Sequence, residues 1–128
     1  MKSLLFAAVL MPMMYASFGQ AELGAITDAM KSGDASELGR YFDERVEISI
    51  LGKDDVYAKS QAVGVMKNFF AKHPTSSFTT VHKGTSSNNN SQYCIGNLVA
   101  GRQTFRVYIY MESAGGKQVI QELRFDKE

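Results

Sequence analysis

From residue 78 to residue 126 the chain alternates apolar and polar residues with a period of two, interrupted by short clusters of turn formers. That period belongs to strands, because successive side chains of a strand point to opposite faces. Four strands are predicted, over residues 78–85, 92–100, 103–112 and 117–126. The turns between them fall at Asn88-Asn89-Asn90, Gly101-Arg102 and Ala114-Gly115-Gly116. Connections this short join antiparallel neighbours. In the third strand Phe105, Val107, Ile109 and Met111 share one face, and Thr104, Arg106, Tyr108, Tyr110 and Glu112 share the other. In the fourth, Val119, Leu123 and Phe125 oppose Ile120, Glu122 and Arg124. One side of this sheet must be covered by other elements. The opposite side, carrying Arg106, Tyr108, Tyr110, Ile120, Glu122 and Arg124, is amphipathic. It is either a solvated face of cross-strand pairs or an association surface, since tyrosine and arginine are enriched where proteins meet.

The first half supplies the cover. Leu23, Ile26 and Met30 lie at helical spacing, and Gly33 after Ser32 reads as a helix stop. Asp34, with Glu37 three residues on, reads as the capping box of a second, short helix whose apolar side is Leu38, Tyr41 and Phe42. From Val46 the period becomes two: Val46, Ile48 and Ile50 alternate with Glu47 and Ser49 as in a half-buried strand. Gly52-Lys53-Asp54-Asp55 reads as a turn and Val56-Tyr57 as a short return strand. Ser60 is the expected cap of a third helix, with Ala62, Val63, Met66, Phe69 and Phe70 on its apolar face. Gly64 inside that helix, about 1 kcal/mol less favourable than alanine, predicts a close approach to another backbone. His73-Pro74 ends the helix, because proline disfavours helix in the residue before it.

The chain of 128 residues begins like an exported protein. Lys2 precedes an apolar run, Leu4-Leu5-Phe6-Ala7-Ala8-Val9-Leu10-Met11, and Ser17 and Gly19 stand at the −3 and −1 spacing of a signal cleavage site. Cleavage after Gly19 leaves one domain over residues 20–128, in the periplasm or outside the cell. Lys and Arg number 14 and Asp and Glu 13, so loss of Lys2 brings the net charge close to zero. The basic residues are scattered, which argues against nucleic acid and anionic membrane surfaces as partners. No second apolar run of spanning length follows the signal. Cys94 is the single cysteine and lies in an apolar setting, as a buried, inert thiol would.

Residues able to do chemistry are few. His73, at a helix end, reads as a cap. His82 shares the parity of Phe78 and Thr80, so it becomes the best-placed general base if that parity faces the interior. The pairs Asp43-Glu44 and Asp54-Asp55 read as solvated punctuation. Glu122 and Arg124 read as a surface ion pair network with Arg106, of little energetic weight. No metal site is expected, since one cysteine and two distant histidines give no zinc spacing. No cofactor is expected either: Gly115-Gly116 belongs to a hairpin rather than to a phosphate-binding loop. Asn89-Asn90-Ser91 fits a glycosylation acceptor but is better explained as turn chemistry.

Two helices joined by a Gly-Asp bend, then a strand, a third helix and four antiparallel strands, resemble the nuclear transport factor 2-like (NTF2-like) superfamily. The string Met30-Lys31-Ser32-Gly33-Asp34-Ala35-Ser36-Glu37-Leu38-Gly39-Arg40-Tyr41-Phe42 and the following Val46-Glu47-Ile48-Ser49-Ile50 carry that resemblance. Tyr108-Ile109-Tyr110 and the closing Ile120-Gln121-Glu122-Leu123-Arg124-Phe125 narrow it to the DUF4783 type of exported Bacteroidota proteins. The resemblance implies an α+β cone, with three N-terminal helices packed on a curved, mainly antiparallel sheet. It also implies an interior where Tyr57, Met66, Phe70, His82 and Phe105 would line a pocket for a small apolar ligand. The matching motifs are fold motifs, and this fold hosts many functions. The function expected is non-catalytic binding of a small apolar ligand or of a protein partner, including a second copy through the sheet face. The alternative is a metal-independent isomerase, dehydratase or cyclase acting on a hydrophobic small molecule, with His82, Tyr57 and a carboxylate converging in the pocket. A third arrangement has the cone filled by Phe69, Phe70, Phe105 and Phe125.

Overall fold

The computed structural model describes residues 18–88 and 90–128. The predicted signal, up to residue 17, lies outside the described residues, as does Asn89 of the triple-asparagine turn. Three helices and six strands follow in the order α1 (Phe18–Ser32), α2 (Ala35–Gly39), β1 (Phe42–Ile50), β2 (Lys53–Ala58), α3 (Lys59–Lys72), β3 (Thr75–Thr85), β4 (Ser91–Ala100), β5 (Gln103–Ala114) and β6 (Lys117–Lys127). The strands form one open sheet in the order β2-β1-β6-β5-β4-β3. The β1–β6 pair is parallel and the other four pairs are antiparallel.

The predicted bend between the first two helices follows from local chemistry. Gly33 adopts φ +67°, a region that suits glycine. The Asp34 carboxylate then accepts the Glu37 N–H at 3.0 Å and so caps α2. The Glu37 side chain does not complete the box; it pairs with Arg40 at 3.2 Å. At α3 the expected cap moves. Ala58, not Ser60, is the cap residue, and Gln61 Oε1 accepts the Ala58 N–H at 3.3 Å. Ser60 lies inside the first turn.

Gly64 also departs from expectation. It faces open space, with nothing near the position a Cβ would take. The close helix approach occurs at Gly39, where a Cβ would run into the Val63 side chain. Gly64→Ala is therefore expected to stabilise the fold by about 0.5–1 kcal/mol and to raise Tm by about 4 °C, as thermal unfolding would read.

The core lies between the helices and one face of the sheet. Ile26, Met30, Leu38 and Met66 meet Val46, Leu98, Phe105, Val107, Ile109, Met111, Leu123 and Phe125, all fully buried. Phe69 sits at the centre, its ring 5.4 Å from Phe105, 4.6 Å from Phe125 and 5.7 Å from Phe70. The α3 cap residue His73 closes this cluster, 4.9 Å from Phe69 and 5.2 Å from Phe105. The Thr75 hydroxyl donates to the Lys31 carbonyl at 2.9 Å and ties the start of β3 to the end of α1.

Two bulges overturn two parity readings. Along β5–β6 the pairing steps from Tyr110–Glu122 to Met111–Ile120, leaving Gln121 extra. Beyond the bulge the faces exchange. Ile120 is therefore fully buried beside Met111 instead of sharing the face of Tyr108, and Val119 takes its place opposite Glu112. Along β3–β4 the pairing steps from Thr80–Gly96 to His82–Ile95, leaving Val81 extra. Phe78 and Thr80 face the helices, and His82 is turned to the other side of the sheet.

Candidate interaction surface

The five residues expected to line an interior pocket are not brought together. Met66 and Phe105 are fully buried among the core side chains. Phe70 lies at the core's edge, beside a surface hollow formed with Gly33, Asp34, Lys67 and Ala71. Tyr57, on β2 opposite Val46, packs partly on the core and lines a separate hollow of about 500 Å3 with Asp43, Glu44, Arg45, Val56, Ala58 and Gln61. His82 is exposed on the far face. The expected convergence of His82, Tyr57 and a carboxylate fails for the same reason: the Val81 bulge separates the imidazole from the interior. Among the described residues, the buried polar side chains are Ser49 and Gln92, and no carboxylate is among them. Cys94 is buried on the core face, 3.7 Å from the Thr80 hydroxyl, and burial pushes its thiol pKa up.

The sheet face away from the helices is where aromatic side chains assemble. His82, Tyr93 and Tyr108 form a ladder across β3, β4 and β5. Their ring centroids are 5.5 Å apart for His82–Tyr93 and 6.3 Å for Tyr93–Tyr108, the latter pair within 28° of parallel. Tyr93 lies against the backbone of Gly84, where a Cβ would come within 2.6 Å of the ring. Tyr110 pairs across from Tyr93, and Ile95 across from Tyr108. All of these but the exposed His82 are half-buried, although no described element covers them. Tyr93 belongs to no motif of the sequence. Its opposite parity to Cys94, together with the tyrosines of the next strand, was the available signal.

Charges of both signs frame the ladder. Arg124 pairs with Glu122 at 3.3 Å, as its i, i+2 spacing suggested. Arg106 does not join them; it pairs with Glu128 at 3.2 Å. Both contacts are exposed and contribute little to stability. The Tyr110 hydroxyl donates to Glu112 Oε1 at 2.8 Å, and this bond holds the phenol pKa above its ordinary value. Partial burial, and after it the Glu122 charge, raise that of Tyr108. Both phenols are protonated at neutral pH, and the one O–H proton of Tyr110 is committed to Glu112.

On the helix side, a hollow of about 690 Å3 opens between α2, the start of β1 and the first turns of α3. None of its lining residues was expected to bind anything. Groups of ionisable residues suited to a metal ion are absent among the described residues. No described helix is long and apolar enough to cross a membrane.

A family model described as a domain of unknown function, DUF4783, matches residues 23–126. The solved structure of a DUF4783 family protein from Bacteroides uniformis is similar to this chain, with 31% identity and a TM-score of 0.78. The match covers 82% of this chain and 95% of that one. A DUF4783 family protein from Bacteroides ovatus is 28% identical with the same TM-score, 0.78, over 81% of this chain and 93% of its own. An NTF2-like protein of unknown function from Shewanella baltica shares the fold at 11% identity, with a TM-score of 0.66 over 87% of this chain and 91% of its own. Among curated proteins none matches this chain. With the family model spanning nearly the whole described domain, and with solved relatives superposing at TM-scores of 0.78, this chain belongs to the DUF4783 family and has the NTF2-like fold.

Proposed function

We propose that this protein is an exported, non-catalytic association domain whose uncovered sheet face docks a second copy of the chain. The observation that carries this reading is the half-buried ladder of Tyr93 and Tyr108, with His82, Ile95 and Tyr110 around it, on a face that no described element covers. Tyrosine and arginine are the residues enriched in protein interfaces, and here they occupy adjacent strands. Arg106 and Arg124 alternate with Glu112, Glu122 and Asp126 on the same face. A twofold axis through such a face sets unlike charges against each other. With strands about 4.8 Å apart and about ten residues long, the sheet face offers ~800 Å2, the contribution of one partner to a standard-size interface.

Met66 and Phe105, expected to line an interior pocket, are fully buried among core side chains, which favours a docked protein over a small apolar ligand held inside the cone. The separation of His82 from Tyr57 supports a role without proton-transfer chemistry. Export rests on Lys2, the apolar run after it and the small residues before Gln20, and the family match beginning at residue 23 fits a domain that starts just past the cleavage site. A location in the periplasm or outside the cell is part of this proposal.

The test begins with the full chain expressed with its own N-terminus and recovered from outside the cytoplasm. Intact mass is expected to show a chain beginning at Gln20, and light scattering to show twice its mass. Tyr108→Glu is expected to weaken the dimer at least tenfold, about 1.4 kcal/mol, with the circular dichroism spectrum unchanged. A strict monomer at high concentration, with Tyr93 and Tyr108 freely modifiable, overturns the docking reading.

A further inference from the structure

The hollow on the helix side has a construction of its own. Gly39 allows α2 to press on α3, since any Cβ there would collide with Val63. The apolar part of the resulting groove's lining is the buried Gly39, the half-buried Val63 and the exposed Ala58. Its rim carries two cations, Arg40 and Lys59, with the hydroxyls of Ser36 and Ser60. A single acid, Glu44, stands where the groove runs into the neighbouring hollow, which it and Ala58 also line. The volume of about 690 Å3 falls in the range of ligand sites, roughly 300–1,000 Å3.

From this arrangement we infer that the α2–α3 groove binds a single-chain amphiphile with an anionic head group. The apolar lining takes the hydrocarbon chain, and Arg40 and Lys59 take the carboxylate. Arg40 is available for this role. Its pairing with Glu37 is exposed, one helical turn away, and such pairs are weak. A planar guanidinium also fits a carboxylate with two parallel hydrogen bonds. A cationic amphiphile meets two like charges on the rim, and a purely polar anion gains nothing from the apolar lining. The groove lies on the helix side of the sheet, so it stays open when the opposite face is docked, and the inference does not rest on the docking reading.

The experiment titrates the protein, expressed as the full chain, with dodecanoate and with dodecyltrimethylammonium, each below its micellar concentration. Dodecanoate is expected to bind at least tenfold more tightly. In the double variant Arg40→Glu/Lys59→Glu, whose positions are exposed, dodecanoate is expected to lose at least tenfold in affinity and the preference to reverse. The control Lys53→Glu/Lys117→Glu makes the same change in net charge away from the groove and is expected to alter the dodecanoate affinity less than twofold. Three outcomes overturn the inference: no saturable dodecanoate binding, a preference untouched by the rim variant, or an equal loss in the control.

Discussion

Phe105→Ala is expected to destabilise the protein by about 3–5 kcal/mol, read as a fall in the urea midpoint at unchanged slope. Phe105 is fully buried, and its ring meets Phe69 at 5.4 Å and the His73 imidazole at 5.2 Å. It also stands opposite Leu98 on the neighbouring strand. Removing the ring takes away its transfer free energy and leaves a void that the two flanking strands hold open, because their ladder fixes their separation. Domains of this size have total stabilities of about 5–15 kcal/mol, so the variant should sit close to its unfolding transition at room temperature. The experiment also decides how the cone is used. If the interior were an open ligand chamber, the ring would already border free volume and its loss would cost about 1 kcal/mol or less. A large loss, partly restored by benzene, would identify a filled core with a newly made apolar hole.

Gly96→Ala is expected to cost about 2–3 kcal/mol through a different cause. Gly96 lies on the core face of β4, and the Phe78 ring from β3 covers it so closely that a Cβ would enter the ring. Backbone cannot retreat there, because Gly96 is laddered to Thr80 on one side and Val107 on the other. The ring must swing out instead; Phe78 is half-buried, so its own lost burial accounts for about 1–2 kcal/mol, and the core uncovered beneath it supplies the rest. Coupling is the test. In the Phe78→Ala background the glycine substitution should become nearly neutral, giving an interaction energy of about 2 kcal/mol in the double-mutant cycle. Additive losses would show that strand distortion, not the ring, sets the cost.

What could be read in advance was whatever the chain settles locally. The Gly33-Asp34 bend and the meander turns at Gly101 and Gly115-Gly116 are decided by a few adjacent residues; the turn read over 52–55 is shorter than expected, since Lys53, Asp54 and Asp55 already pair with β1. Helix faces such as Ala62, Met66, Phe69 and Phe70 show in their spacing. The errors over which side chains meet the core or another helix share one origin: a partner distant in sequence. Whether Ile120 faces in or out depends on how β5 and β6 keep step, and the extra residue at Gln121 is invisible until the strands pair. Val81 does the same to His82, and that single displaced residue removes the most plausible base from the interior. Gly64 and Gly39 look alike as helical glycines, yet only Gly39 has Val63 against it. The α2–α3 groove was illegible because its lining comes from three elements, and each of its residues is unremarkable in its own segment.

The parallel pairing of β1 with β6 sets an order of events. β6 is the last strand made, yet it occupies an inner place in the sheet, with the first strand on one side and β5 on the other. Before its residues emerge, the β1–β2 hairpin and the β3–β4–β5 meander have no common edge, and the long chain closure that unites them cannot begin. The two halves thus stay separable until β6 is available to lie between them, and the sheet locks only when it does.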